Sequence, residues 1–230
     1  MVRQLQSQTS TKVIYPDSDG QPMADNTVQF RWIVTIKENL ELLFADDPNV
    51  FVAGDLLWYP VEGDNTIRKA PDVMVVFGRP KIDRGSYKQW LQNNLAPQVV
   101  FEILSPSNRL TEMAQKLEFC DRYGVEEYYL YDPEKVDLSV WLRQRDRLST
   151  ISSPAGWTSP RLGIRFELTA DELEIFTPTG ERFLTYVQLA QLRKQAKQQA
   201  EQERQRAEQA ESRIRQLEAR LRELGVDPER

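Results

Sequence analysis

Two stretches hold the residues best suited to chemistry: Ala70-Pro71-Asp72-Val73-Met74-Val75-Val76-Phe77 and Val99-Val100-Phe101-Glu102-Ile103-Leu104-Ser105. Each is an apolar, β-branched run of strand length with a single carboxylate. Asp72 opens the first and Glu102 sits inside the second. A charge within a buried strand is costly unless it is paired or binds a metal. Two acids on neighbouring strands therefore point to a divalent-metal site. Lys116 follows on a segment that reads as a helix from about Asn108. At 100° per residue, Leu110, Met113, Leu117 and Cys120 share one face, and Lys116 falls beside that stripe. A lysine there can reach the sheet edge, where it could orient a water or stabilise charge on a phosphate.

Each residue also has a plainer reading. Asp72 alone reads as the first residue of a strand after a Pro-Asp turn. Glu102, with apolar neighbours on both sides, fits a strand covered on both faces and could pair with an arginine. Lys116 lies four residues after Glu112, the spacing of an ordinary helix-surface ion pair. The segment Arg79 to Trp90 interleaves cations and aromatics, which suits phosphate contact and base stacking or simply a solvated loop.

Composition narrows the chemistry. The chain has 230 residues and no histidine, which excludes a Ser-His-Asp triad, a Cys-His dyad and histidine-ligated zinc. One cysteine, Cys120, allows no intrachain disulfide and fits a reducing interior. No run approaches the ~20 apolar residues of a membrane span, and the N-terminus lacks a signal-peptide core. The expectation is a cytoplasmic protein without a membrane segment. A net charge of -5 tells against a broad nucleic-acid-coating surface, so any grip on DNA must come from a local patch or from dimerisation.

The elements that must position these residues follow from periodicity. Residues 1–26 read as a flexible N-terminal arm. Ile33, Ile36, Leu40 and Leu43 give one apolar face to a helix over 27–44. Strands are expected at 51–60, 72–77, 98–104, 127–131, 138–142, 161–167 and 174–176. The 108–124 segment is a helix with Ser107 or Asn108 as N-cap and Gly124 as its stop. The fold class is α/β (α+β), with a core domain over 27–182.

From 183 to 230 the chain changes character. No Gly or Pro occurs from Phe183 to Leu224, and Gln, Glu, Arg and Ala dominate. Ala200, Ala207, Ile214 and Leu221 fall in heptad position a, and Ala196, Ala210, Leu217 and Leu224 in position d. Only Glu203 interrupts the seam. The expectation is a long C-terminal coiled-coil helix that joins two copies into a homodimer, with a solvated single helix as the alternative.

The words Pro71-Asp72, Glu102-Ile103-Leu104-Ser105-Pro106-Ser107-Asn108, Lys116-Leu117-Glu118-Phe119 and Tyr123 through Pro133 resemble the Uma2-type endonuclease-like family of the PD-(D/E)XK superfamily. The resemblance implies a restriction-endonuclease-like core, a central mixed sheet flanked by helices. It also implies phosphodiester hydrolysis, with DNA as the expected nucleic-acid partner and Mg²⁺ or Mn²⁺ as cofactor. Asp72 and Glu102 would bind the metal, with a backbone carbonyl near Ile103, and Lys116 would complete the catalytic set. The superfamily's usual lysine lies two residues beyond the glutamate, where this chain has Leu104, so Lys116 is the natural substitute. Members also tend to carry a polar or acidic residue on the first helix, for which Gln29, Glu38 and Glu41 are candidates. The competing reading is a catalytically inactive scaffold that works through coiled-coil oligomerisation or partner binding.

Overall fold

The computed structural model describes residues 13–20 and 22–223. In chain order the elements are α1 (Thr27–Leu43), β1 (Val50–Gly54), β2 (Trp58–Tyr59), β3 (Val73–Phe77), β4 (Tyr87–Lys88), β5 (Val99–Ile103) and α2 (Leu110–Tyr123). There follow β6 (Glu127–Asp132), β7 (Asp137–Gln144), β8 (Arg147–Thr150), β9 (Arg165–Leu168), β10 (Leu173–Phe176) and α3 (Tyr186–Glu223). The chain divides into two compact units, Met1–Phe183 and Leu184–Arg230.

Six strands form the central sheet in the order β1-β3-β5-β6-β7-β8. Its pairings are antiparallel except for β5 with β6, which run parallel and are joined by α2. The sheet is therefore mixed, as the α/β reading requires. Alternation along each strand separates two cores. Val73, Val75, Val99, Phe101 and Ile103 face the side covered by α1 and the β9–β10 hairpin, meeting Ile33, Ile36, Leu40 and Phe166. Met74, Val76 and Val100 face the other side, with Trp58, Tyr87, Tyr128 and Cys120 of α2.

α1 starts where Asn26 caps it, its Oδ1 accepting from the N–H groups of Val28 and Gln29 at 2.9 and 2.8 Å. Gly124 ends α2 in the left-handed region at φ 96°, where a side chain would be strained. The start of α2 departs from expectation. Asn108 turns its Oδ1 back to the Ser105 N–H (2.8 Å), and Arg109 takes the cap position without a side-chain bond. The strand expected over 51–60 is broken by Asp55, whose φ of 48° ends β1 before β2 can begin. β8 was not anticipated; its Arg147–Thr150 run is mostly polar and sits at the sheet edge.

Of the N-terminal arm, residues 1–12 lie outside the described residues. Its described part is tied to the core. The Tyr15 ring packs on Tyr59 (5.2 Å) and Trp90 (4.9 Å), Tyr59 Oη donates to the Pro16 carbonyl (2.6 Å), and Ser86 Oγ donates to Asp17 (2.8 Å).

α3 is a 38-residue helix. Its apolar positions Ile214 and Leu217 stand 53% and 45% exposed, while seam position Leu224 lies outside the described residues. Among the described residues, no helix is long and apolar enough to cross a membrane.

Glu127 shows how the core tolerates a buried acid. The residue is fully buried and takes donors from Tyr129 Oη (2.7 Å), Ser159 Oγ and the Arg161 N–H (2.7 Å). This ties the 159–161 segment to β6. Replacing Glu127 by Ala strands three donors, and urea denaturation should show a loss of about 3 kcal/mol or more. A loss below ~1 kcal/mol would show that the network contributes little.

Candidate active site

Strand parity puts both acids on one face. Asp72 shares the parity of Met74 and Val76, and Glu102 that of Val100, so both point toward α2. The β3–β5 register pairs Val73 with Phe101. Carried one residue further, it sets Asp72 opposite Glu102. Directly opposed residues have Cβ atoms about 5 Å apart, and like charges at that spacing repel. Asp72 is 7% exposed and Glu102 is 2% exposed, so little water screens them.

α2 supplies the counter-charge. Lys116 Nζ donates to Glu102 Oε2 at 2.6 Å, with side-chain exposures of 16% and 3%. The helix-surface alternative, a pair with Glu112, gives way to this inward contact, although Glu112 also lines the cleft. Asp72 in turn accepts the Ile103 N–H at 2.6 Å. The structure thus brings Asp72, Glu102 and Lys116 together.

Of the three first-helix candidates, only Gln29 reaches this place. It is buried, and its Nε2 donates to the Ile103 carbonyl at 2.9 Å while its Oε1 accepts the Asp25 N–H at 2.8 Å. It also favours the ionised form of Asp72, though less than Lys116 and the Ile103 N–H do. Glu38 and Glu41 instead flank Lys37 on the solvent side of α1, both bonded to its ammonium.

Asp72, Lys116 and Gln29 line a cleft of about 340 Å³, which also receives Asp19, Asp25, Asp55, Ser107 and Asn108; the buried Glu102 meets it through Lys116. Asp25 accepts from Ser105 Oγ (2.7 Å) and from Ser107 Oγ. Asp55 N–H reaches the carbonyls of Pro71 (3.1 Å) and Asp72 (3.2 Å), which sets its side chain beside the pair. Sequence reasoning missed Asp19, Asp25, Asp55 and Glu112 as neighbours of the pair. Only Asp25 carried a signal, one residue before the Asn26 helix cap. The Arg79–Trp90 segment, by contrast, folds on itself. Arg84 donates to the carbonyls of Pro80 and Ile82 (both 3.1 Å) and lies over the Phe51 ring at 4.2 Å. None of its residues lines the cleft.

Burial dominates the electrostatics. It raises Asp72 to about 6, against the pull of Lys116 and the Ile103 N–H. It raises Glu102 to about 8, where Asp72 adds to the rise and Lys116 opposes it. Burial works against the Lys116 charge as well, but Glu102 and Asp72 outweigh it and hold the ammonium above its ordinary value. Asp25 moves the other way, lowered by the hydroxyls of Ser107 and Ser105. The oxygens gathered around the pair are the carboxylates of Asp72 and Glu102 and, beside them, the carbonyl of Ile103.

The raised value of Asp72 has a stability consequence of definite sign. The folded chain holds the proton more tightly than the unfolded chain, so ionisation costs stability as pH rises from about 4 through about 6. Asp72→Asn keeps an acceptor for the Ile103 N–H and removes the charge. In EDTA at pH 8 this variant should be more stable than the parent by about 1–3 kcal/mol. The advantage should vanish near pH 4. Urea denaturation at the two pH values tests this, and a destabilised variant at pH 8 would contradict it.

Three comparisons bear on these features. The family model described as "Uma2: Putative restriction endonuclease" matches residues 3–171, a span that contains Asp72, Glu102 and Lys116. A solved structure from Anabaena variabilis, described as a "putative nuclease belonging to DUF820", is similar at 17% identity with a TM-score of 0.46. The similarity covers 60% of this chain and 75% of that one. No curated protein matches. With its family match running through more than half of its length, the chain belongs to the Uma2 family of restriction-endonuclease-like proteins.

Proposed function

We propose that this chain is a Mg²⁺- or Mn²⁺-dependent endonuclease that hydrolyses phosphodiester bonds of nucleic acid, DNA foremost, in the cleft at Asp72 and Glu102. The observation that carries this reading is one juxtaposition: two buried carboxylates on adjacent strands, with the Lys116 ammonium 2.6 Å from one of them. The donor chemistry fits the metal. Asp72, Glu102 and the Ile103 carbonyl are hard oxygen donors of the kind Mg²⁺ and Mn²⁺ prefer. The pair when ionised also has two negative charges against one ammonium, an imbalance that a cation would offset. Among the described residues, no group of three or more His, Cys, Asp or Glu could hold a metal ion, so the third donor in this reading is the backbone carbonyl.

A bound divalent ion would polarise the phosphate and acidify a water molecule. The chain's own residues do the rest. Lys116, held above its ordinary value, stays protonated at neutral pH. It therefore serves as a charged donor to phosphate oxygens as negative charge grows on them, and not as a base. Gln29 is a positioning residue that holds the Ile103 carbonyl beside Asp72. Leu104 stands where the wider superfamily has its lysine, and its N–H joins the sheet at the Tyr131 carbonyl (2.8 Å). Lys116 reaches the Glu102 carboxylate from the helix instead. One observation favours the second reading, an inactive scaffold: Asp19, Asp25, Asp55 and Glu112 make the cleft lining acidic and so repel a polyanion. The buried free thiol of Cys120 suits a cytoplasmic setting.

The partner implied by α3 is a second copy of the chain. With Ile214 in position a and Leu217 in d, Arg206 and Arg213 occupy g while Glu211 and Glu218 occupy e. In a parallel, in-register pair, Arg206 faces Glu211 and Arg213 faces Glu218 of the other helix. An antiparallel pair would set arginines against arginines. The dimer is therefore parallel.

Incubation of plasmid and single-stranded DNA with Mg²⁺ or Mn²⁺ tests the catalytic reading. The expected result is cleavage that is abolished by Asp72→Ala or Glu102→Ala and lowered about 10²-fold or more by Lys116→Ala. Absence of cleavage, or cleavage indifferent to Asp72→Ala, sinks it and leaves the scaffold. For the dimer, Leu217→Cys should give a 217–217 disulfide under mild oxidation, since native Cys120 is buried. An unlinked chain that sediments as a dimer would mean an antiparallel pair.

A further inference from the structure

A second groove lies beside the acidic cleft and has the opposite character. Its volume is about 350 Å³, and its walls include Arg68, Lys69, Phe119, Arg122 and Tyr123, with Glu118 as the one carboxylate among them. The two are adjacent through consecutive residues. Lys69 lines the groove and Ala70 the cleft; on α2, Gln115 lines the groove and Lys116 the cleft. In a chain of net charge -5, a cationic, aromatic groove beside the acidic cleft is a local exception.

We propose that this groove binds an unpaired nucleic-acid strand and leads it to the cleft, an inference that rests on the nuclease reading. The aromatic wall is rigid. The Phe119 ring meets Tyr123 at 4.8 Å and Trp58 at 5.1 Å, and Trp58 is locked by an Nε1 bond to Gln89 (2.9 Å). Half-buried rings held from behind offer the stacking platform that unpaired bases use, whereas a duplex keeps its base faces inside. The cations are available for phosphate. Among the described residues the Lys69 ammonium has no hydrogen-bond or ion-pair partner. Arg122 pairs with Glu118 at 2.9 Å, both side chains being at least 65% exposed. An exposed pair of that kind holds weakly and exchanges readily for a phosphate. Arg68, which lines the groove, is set in place by its bond to the Asn65 carbonyl (2.8 Å).

The division of labour is then by charge. The groove holds the strand's phosphates with arginine and lysine, and the cleft, acidic and suited to a cation, takes the phosphate to be cut. This also answers the electrostatic objection raised by the acidic lining, because the grip on the polymer lies outside it.

Fluorescence anisotropy on the full chain in EDTA, with a labelled 20-nucleotide single strand of DNA, its duplex and an RNA of the same sequence, tests the inference. Both single strands should bind more tightly than the duplex. Lys69→Glu combined with Arg122→Glu should weaken single-strand binding about 10-fold or more and flatten its salt dependence by about two phosphate contacts. Lys69→Arg with Arg122→Lys should retain binding and guards against a folding artefact. Hydrolysis of bis(p-nitrophenyl) phosphate with Mn²⁺, which needs the cleft alone, should be unchanged by either pair of changes. Equal binding of the duplex, or single-strand affinity indifferent to the charge reversals, overturns the groove proposal even if the small phosphodiester is cleaved. Charge-sensitive single-strand binding without hydrolysis of the small substrate would instead uphold the groove and defeat the catalytic reading.

Discussion

Two carboxylates facing one another across neighbouring strands, beside a single ammonium, form the constraint around which the core is arranged. Left alone, such a pair would be expelled to solvent or protonated. It is retained because several elements converge to satisfy it. β5 offers the Ile103 N–H to Asp72, α2 turns Lys116 inward to Glu102, and α1 sends Gln29 to the Ile103 carbonyl. The α1 contact depends on a helix that starts at Asn26, because only its first turn lies close enough to the end of β5. The βαβ passage from β5 through α2 to β6 places Lys116 over the same sheet face as Glu102. Fold and site are one solution to one electrostatic problem.

That problem is only partly solved in energetic terms. Burial lifts both acids, and ionised carboxylates at this place work against folding near neutral pH. Glu127 is the instructive contrast. It is equally buried, but three donors surround it and no second acid stands opposite. The core can thus accommodate a buried carboxylate quietly when all it has to do is hold a loop. At Asp72 and Glu102 it does not, because two acids stand opposite one another and share a single ammonium.

Much of the arrangement was legible in the residues. Apolar runs marked β3 and β5, a lone acid in each stood out against them, and helical phase pointed Lys116 toward the sheet. What pattern could not supply was distance in space. Gln29, Glu38 and Glu41 share a helix, and choosing among them requires knowing which end of α1 meets the end of β5. Asp55 was unreadable for a different reason: it acts through a left-handed turn that breaks an otherwise plausible strand. Asn108 has good capping chemistry and spends it on the Ser105 N–H, because that loop must close over Asp25. The described part of the arm, polar enough to look loose, is held by the aromatic ring of Tyr15 and by backbone carbonyls that no periodicity reveals.

The bond from Ile103 N–H to Asp72 has a further meaning for the sheet itself. β3 and β5 zip together up to Val73 and Phe101, and the next backbone donor along β5 on that side is met by a side chain. Pro71, which has no N–H to offer, stands just beyond. The carboxylate thus replaces a rung of the ladder and opens a fork between the two strands. Lengthening β3 by one ordinary residue would close the fork and leave a better sheet, with the space between the two acids gone.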